Sequence, residues 1–214
     1  MENKITIFST YFEEPIAEEQ LAYYSSLLPE IEKKKINAFI RWEDRTASIL
    51  GKALLLRLLE HIGESGIKLS DLLYTSYKKP YFDATNDFSI AHSGSFVVCA
   101  MASHCRLGID IEKIKTTANN SLGFTLTPEE DRCLKASVNA DLTFYNIWTK
   151  KEAIIKADGR GLSLELSHVD TTCVPFSLDG QDWFTQSISL NKAYAAHIAF
   201  NDPSSIITHN KIFF

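Results

Sequence analysis

Gly108-Ile109-Asp110-Ile111-Glu112 and Trp148-Thr149-Lys150-Lys151-Glu152-Ala153-Ile154-Ile155-Lys156 are the stretches on which the fold of this chain turns. In the first, β-branched Ile109 and Ile111 alternate with Asp110 and Glu112. That is a period of two, so both carboxylates leave one face of a strand. In the second, Trp148, Glu152 and Ile155 lie one helical turn apart, as do Glu152 and Lys156. Such a helix turns an acid and a base toward one point while its apolar stripe is buried. Taken singly, each feature is ordinary: a D-x-E strand is usually a solvated face, and an i,i+4 pair is worth only about 0.3–0.5 kcal/mol. Taken together they predict more. Three carboxylates drawn to about 4 Å from one another repel by about 4 kcal/mol per pair at an effective dielectric of about 20. The arrangement calls for a cation, and all-oxygen ligands of this hardness favour Mg²⁺, with Mn²⁺ as the alternative, over zinc. The expected metal ligands are Asp110, Glu112 and Glu152, with lysines beside them to meet a polyphosphate.

The surrounding chain reads as mixed α/β. Residues 4–12 form a first strand, and 17–28 and 30–40 form helices on either side of Pro29. Residues 44–62 form a Leu- and Ala-rich helix closed by Gly63. Strands at 87–91 and 96–102 flank a Ser93-Gly94-Ser95 turn, and 106–112 is the next strand. Thr127-Pro128-Glu129-Glu130 opens a helix with an N-cap, a proline at the first position and a capping-box glutamate. The motif helix, 141–157, stops at Asp158-Gly159, and late strands follow at 183–190, 194–200 and 205–214. Ile49-Leu50-Gly51-Lys52 recurs as Ile147-Trp148-Thr149-Lys150, and Ser89-Ile90 recurs at the same offset as Ser187-Ile188. This weak repeat predicts two similar α/β halves, 1–104 and 105–214, each a long helix on a small antiparallel sheet. The cleft between them is the expected ligand site.

Composition removes several function classes. A net charge of −5 gives no support to a nucleic-acid partner. No apolar run approaches the roughly 18 residues of a membrane span, and Met1-Glu2-Asn3-Lys4-Ile5-Thr6-Ile7 lacks the shape of a secretory signal. Cys99, Cys105, Cys133 and Cys173 are widely spread with no C-x-x-C pair, as in a reduced, cytoplasmic protein. No Walker-type or kinase Gly-rich loop is present. A further segment, Phe88-Ser89-Ile90-Ala91-His92-Ser93-Gly94-Ser95, sets a histidine among small hydroxyl residues and a glycine, where backbone amides can face an anion. Lys78-Lys79-Pro80-Tyr81 lies just upstream and can clamp a second phosphate.

These motifs, with Gly159-Arg160-Gly161-Leu162, resemble the 4′-phosphopantetheinyl transferases, and more narrowly the monomeric surfactin-synthetase-type group. The match runs in order from Pro29 to Leu164, and the pairing of G-I-D-I-E with W-x-x-K-E-x-x-x-K is specific where neither half is. The resemblance implies a pseudo-twofold α/β pair with coenzyme A in the cleft. It implies Mg²⁺ on Asp110, Glu112 and Glu152, with Lys156 and Lys151 near the pyrophosphate. It places His92 and Lys79 at the 3′-phosphate and adenine end, with Pro80 against the base, and counts Ser93 among the coenzyme A contacts. Among Lys33-Lys34-Lys35, Lys34 aligns best with a 3′-phosphate ligand. Glu152 is the implied base and Lys156 the implied stabiliser of the leaving phosphate. The implied reaction moves phosphopantetheine from coenzyme A to a serine of an apo acyl or peptidyl carrier protein. The rival is a non-catalytic module of the same fold that binds coenzyme A or a carrier. The chain departs from the pattern at Ala91, where Ser is frequent, and at Ala47, where Arg is frequent and Arg45 stands in. It also departs at Leu122-Gly123-Phe124, where a basic residue before aromatics is usual.

Overall fold

The computed structural model describes residues 3–116 and 125–214. Two four-stranded sheets, each carrying one long helix, are stacked face to face. The first has the order β10-β1-β5-β4, with β1 Lys4–Tyr11, β4 Asn86–Ser93, β5 Phe96–Ser103 and β10 Ile206–Lys211. The second has the order β6-β9-β8-β7, with β6 Leu107–Lys113, β7 Phe176–Leu178, β8 Gln181–Ser187 and β9 Tyr194–Phe200. Leu73–Tyr74 (β2) and Pro80–Tyr81 (β3) form a small separate ribbon. Helices α1 (Glu18–Ser26), α2 (Glu30–Asn37) and α3 (Trp42–His61) precede it, and α4 (Pro128–Ala136) and α5 (Ala140–Asp158) follow β6.

The alternation within strands sorts side chains into layers. Val97, Cys99 and Met101 of β5 face α3 and meet Leu50, Leu54 and Leu58. Val98 and Ala100 face the other way, with Ile5 and Ile7, onto Ile109, Ile111 and Ile198 of the second sheet. The opposite face of that sheet meets Ala153, Ile154 and Ala157 of α5 beside Trp183 and Ala199. The isoleucines of the G-I-D-I-E strand are thus the central core, and its acids face the helix. Both long helices press close at a glycine. A Cβ on Gly51 of α3 would stand 2.7 Å from Ile90 Cγ2, and one on Gly108 of β6 would overlap the Ala153 carbonyl oxygen and Ala157 amide of α5.

The sheets meet at their edges as well. The backbone amides of Leu107, Ile109 and Lys113 donate to Asp87 Oδ2 (3.0 Å), Ser89 Oγ (3.1 Å) and Ser93 Oγ (3.0 Å) of β4. β6 therefore satisfies its free edge with its neighbour's side chains. The rung facing Ile111 is Ala91, which carries no oxygen. The capping box is formed as expected: Thr127 Oγ1 accepts from the Glu130 amide at 3.2 Å, and Glu130 Oε2 accepts from the Thr127 amide at 2.8 Å. The Gly159 stop is also formed, in left-handed geometry at φ +86°. One strand departs from halves drawn at 104 and 105. β10 leaves the second half and pairs in parallel with β1, Lys4 opposite Ile206 through Ser9 opposite Lys211.

Gly108→Ala is expected to lower stability by about 2–4 kcal/mol, because the atoms in its way are helix backbone. Gly51→Ala should cost less, since the Ile90 side chain can shift. Urea unfolding of both variants checks the order, and equal midpoints would show that α5 yields as easily as one side chain.

Candidate active site

The edge where β4 meets β6, roofed by α5, opens into a cavity of about 400 Å³. Ser48 and Lys52 of α3 form one wall, and Tyr77, Lys78, Lys79 and Pro80 the second. His92 of β4 and Glu152, Ile155 and Lys156 of α5 form the third. Of the expected residues, Lys79, Pro80, His92, Glu152 and Lys156 line it directly.

Asp110 is buried at the foot of this wall. Its Oδ1 accepts from Lys156 Nζ at 2.6 Å, while Oδ2 is buried with no hydrogen-bond partner among the described residues. Lys156 Nζ also reaches the Ile109 carbonyl oxygen at 3.3 Å. Glu112 Oε2 accepts from the Ser93 hydroxyl at 2.7 Å. Glu152, half-buried, faces them from the helix. Burial pushes the Asp110 carboxyl up, against the pull of Lys156. Burial also raises Glu112, with the Asp110 charge adding to it, and Ser93 and Lys156 opposing. Glu152 is raised by burial, then by the charges of Asp110 and Glu112. His92 is held below the ordinary imidazole range by the cleft walls and by Lys156.

The carboxylates therefore share one electrostatic neighbourhood. Asp110 is turned to Lys156 and Glu112 to Ser93, and among the described residues no three His, Cys, Asp or Glu side chains form a metal-holding group. The donor set nonetheless fits a hard divalent cation. Three oxygen-only side chains are each raised in pKa, Glu112 and Glu152 in part by the Asp110 charge, and Asp110, the most buried of them, keeps one oxygen without a hydrogen-bond partner among the described residues.

Three of the expected ligand residues lie outside the lining of this cavity. Lys151 does not face the cavity: it is fully buried and paired at 2.7 Å with fully buried Glu130. Its ammonium also donates to the carbonyl oxygens of Leu166 (2.8 Å) and Val169. The partner Glu130 accepts from the amide and hydroxyl of Thr171 at 2.9 and 2.8 Å. The motif's second lysine thus ties α4 and the 166–171 segment to α5. Ser93 does not line the cavity either, because its hydroxyl is spent between Glu112 and the Lys113 amide. Lys34 is exposed on α2, outside the cavity wall. Arg45, the stand-in for a missing arginine, lines a second cavity of about 560 Å³ with Lys33. Lys79 lines the first cavity, but its ammonium is held by Asp87 at 2.8 Å.

Ser48, Lys52, Tyr77 and Lys78 are lining residues that the motifs do not announce. A lone lysine in the apolar run Ile49-Leu50-Gly51-Lys52-Ala53-Leu54 is the signal that could have found Lys52. Leu122, Gly123 and Phe124, expected to face a partner, lie outside the described residues. Lys113 and Lys115, beside Glu112, are exposed. The register of α5 over β6 has its own fastening: His197 of β9, directly opposite Asp110, shares a hydrogen bond of 2.8 Å between Nδ1 and Thr149 Oγ1.

Comparison with known proteins places these residues in context. A profile described as the 4′-phosphopantetheinyl transferase superfamily matches residues 106–202, and one described as 4′-phosphopantetheinyl transferase, N-terminal, matches 14–104. The chain is 31% identical to the 4′-phosphopantetheinyl transferase Sfp of Bacillus subtilis (strain 168), over 82% of this chain and 78% of that protein. It is 31% identical to the 4′-phosphopantetheinyl transferase gsp of Aneurinibacillus migulanus, over 67% of this chain and 62% of that protein. It is 30% identical to the human L-aminoadipate-semialdehyde dehydrogenase-phosphopantetheinyl transferase, over 77% of this chain and 59% of that protein.

Two outcomes separate support from site. Lys151→Met leaves Glu130 buried and unpaired, so it should cost about 3–5 kcal/mol of stability. Coenzyme A affinity of the folded fraction, read by calorimetry at low temperature, should stay unchanged; a selective loss of affinity would return Lys151 to the site. His197 is pushed down to about 4 by burial, with Lys150 adding to it. The unfolded chain then binds the extra proton first. This contribution is complete above the ordinary histidine pKa of about 6.5 and is lost as pH falls toward about 4, a change of roughly 3 kcal/mol. His197→Gln should flatten that part of the stability–pH curve, and parallel curves would exclude it.

Proposed function

The chain belongs to the 4′-phosphopantetheinyl transferase superfamily, and we propose that it moves the phosphopantetheine arm of coenzyme A onto a serine of an apo acyl or peptidyl carrier protein, releasing adenosine 3′,5′-bisphosphate. The observation that carries the reading is that Asp110, Glu112 and Glu152 feel one another's charge beside Lys156, next to a cavity that Glu152 and Lys156 line. A non-catalytic binding module of the same fold is not favoured, since binding alone gives no reason to hold two strand carboxylates and one helix carboxylate where they repel one another.

The nucleophile comes with the partner, so the enzyme needs no serine–histidine pair of its own. Its tasks are alignment, charge neutralisation and proton removal. The serine oxygen forms a bond to the phosphorus next to the pantetheine arm, and that phosphorus loses its bond to the bridging oxygen of the pyrophosphate. The leaving oxygen departs with the adenosine bisphosphate. Glu152, with its carboxyl raised and open to the cavity, accepts the serine proton directly or through water. Lys156, already bonded to Asp110, stands where the leaving phosphate gains charge. Mg²⁺ held by Asp110, Glu112 and Glu152 would supply further neutralisation of that charge. Pro80 offers an apolar surface to the adenine, and His92 and Lys79 line the nucleotide end.

The halves 1–104 and 105–214 are proposed as the two units that clamp the ligand. Lys113 and Lys115 follow the acidic strand directly, and their charge steers an acidic carrier that the overall charge of −5 would repel. The enzyme is proposed to act as a cytoplasmic monomer.

Incubation with coenzyme A, Mg²⁺ and an apo carrier should add about 340 Da to the carrier, the mass of a phosphopantetheine arm. A chelator should stop the transfer and added Mg²⁺ restore it. Folded Asp110→Ala should lose at least about 3 kcal/mol of transition-state stabilisation, roughly a hundredfold in rate. No mass gain with any carrier would overturn the function, and near-normal turnover of Asp110→Ala would overturn the metal assignment.

A further inference from the structure

Glu152 stands on α5 while Asp110 and Glu112 stand on β6, so the acidic site is complete at only one setting of the helix along the sheet. Apolar contacts from Ala153, Ile154 and Ala157 fix how near the helix lies. Being non-directional, they fix its position along the strands less well. The buried pair of Lys151 and Glu130 ties α5 to α4, not to the sheet. Two polar ties to the sheet bracket Glu152. One turn before it, Thr149 Oγ1 meets His197 Nδ1 of β9 at 2.8 Å. One turn after it, Lys156 meets Asp110 at 2.6 Å. Asp110 and His197 lie directly opposite each other across β6 and β9, so both ties end on one rung of the sheet.

The two ties are not equivalent. The Lys156 side chain is 31% exposed and lines the cavity, so an anion there competes with Asp110 for its ammonium. Thr149 and His197 are both buried, and neither lines the cavity. Their bond also has a fixed direction. The Thr149 hydroxyl donates to the Tyr145 carbonyl oxygen at 2.8 Å, one turn back along α5. Its oxygen then accepts from the Nδ1–H of His197. This bond stays in place when Lys156 is drawn away. We propose that His197, acting through Thr149, is a positioning residue of the acidic site: it holds α5 at the setting that keeps Glu152 aligned with Asp110 and Glu112 after Lys156 turns from Asp110 to an anion. The role of those carboxylates rests on the transfer reading above. His197 belongs to none of the motifs that mark the chain; it is a lone imidazole in the strand Tyr194–Phe200.

The test titrates Mn²⁺ into the folded protein with coenzyme A present, reading free Mn²⁺ by electron paramagnetic resonance, and measures kcat and KM for carrier labelling. It compares the wild type with Thr149→Val, Thr149→Ser, His197→Ala and the Thr149→Val, His197→Ala double variant. Thr149→Val and His197→Ala should each weaken Mn²⁺ and lower kcat by about 10–100-fold, as loss of an outer support of metal ligands does. The KM for coenzyme A should stay nearly unchanged. The double variant should be no worse than either single one, because both remove the same bond. Thr149→Ser keeps the hydroxyl and should match the wild type. Wild-type Mn²⁺ affinity and kcat in folded Thr149→Val, a loss that Thr149→Ser shares, or additive losses in the double variant would overturn the positioning role. A wild type that binds Mn²⁺ but labels no carrier would overturn the transfer reading, and the Mn²⁺ constants of the variants would still decide the role of His197. A wild type that labels the carrier but binds no Mn²⁺ would overturn the positioning role and leave the transfer standing.

Discussion

Asp87, Ser89 and Ser93 of β4 hold the free edge of β6 with side-chain oxygens, and the site follows from that constraint. A buried amide without an acceptor costs about 1–3 kcal/mol, so the three rungs fix where β6 lies along β4. With the amides of Leu107, Ile109 and Lys113 turned to β4, Asp110 and Glu112 are left facing α5. Slipping β6 by one residue would send both acids into the core between the sheets and the isoleucines under the helix. The same joint carries its own coupling to the chemistry. Ser93 serves a backbone amide with one lone pair and Glu112 with its proton, so the hydroxyl that fastens the sheets also orients a carboxylate.

The buried charges divide into two kinds by the company they keep. Lys151 and Glu130 are sealed from solvent and complete each other, with backbone carbonyls, amides and a hydroxyl filling the remaining positions. Such a closed set fixes geometry and has nothing left to offer a ligand. Lys156 and Asp110 are an open set: Lys156 lines the cavity, and Asp110 behind it keeps one oxygen without a hydrogen-bond partner among the described residues. The two sets alternate along a single helix, on residues 151 and 156, because five residues carry the side chain about 140° around the axis. One face of α5 is therefore anchored while the other is exchangeable.

Much of this is legible in the chain before any coordinates. The alternation of Ile109 and Ile111 with Asp110 and Glu112 reads directly as a two-faced strand, and the Thr127 capping box and the Gly159 stop read directly as helix ends. Their signals are local, set by neighbours two to four residues away. What is not legible depends on distant residues. Nothing around Lys151 announces that Glu130 waits inside the fold, so its motif position alone suggests a ligand contact. Nothing around Lys34 shows that the α2 face it occupies is exposed. Lys52 hides for the converse reason, as a cation inside an apolar helix whose cavity is completed by the β2–β3 ribbon. The strand character of residues 206–211 is evident, but not that it lies beside β1, since a parallel pairing between chain ends leaves no turn signal between its partners.

That last pairing has a consequence for how the protein comes into being. β1 is synthesised first and β10 last, yet they are neighbours. During translation the first sheet can assemble only as β1, β5 and β4, with one flank of β1 bare until residues 206–211 leave the ribosome. A bare strand edge recruits other strands. The nascent protein is thus exposed to mispairing until β10 arrives, and that strand acts as the seal. Deleting residues 206–211 would remove none of the cavity lining described above, but would leave the molecule with the open flank of its own unfinished intermediate.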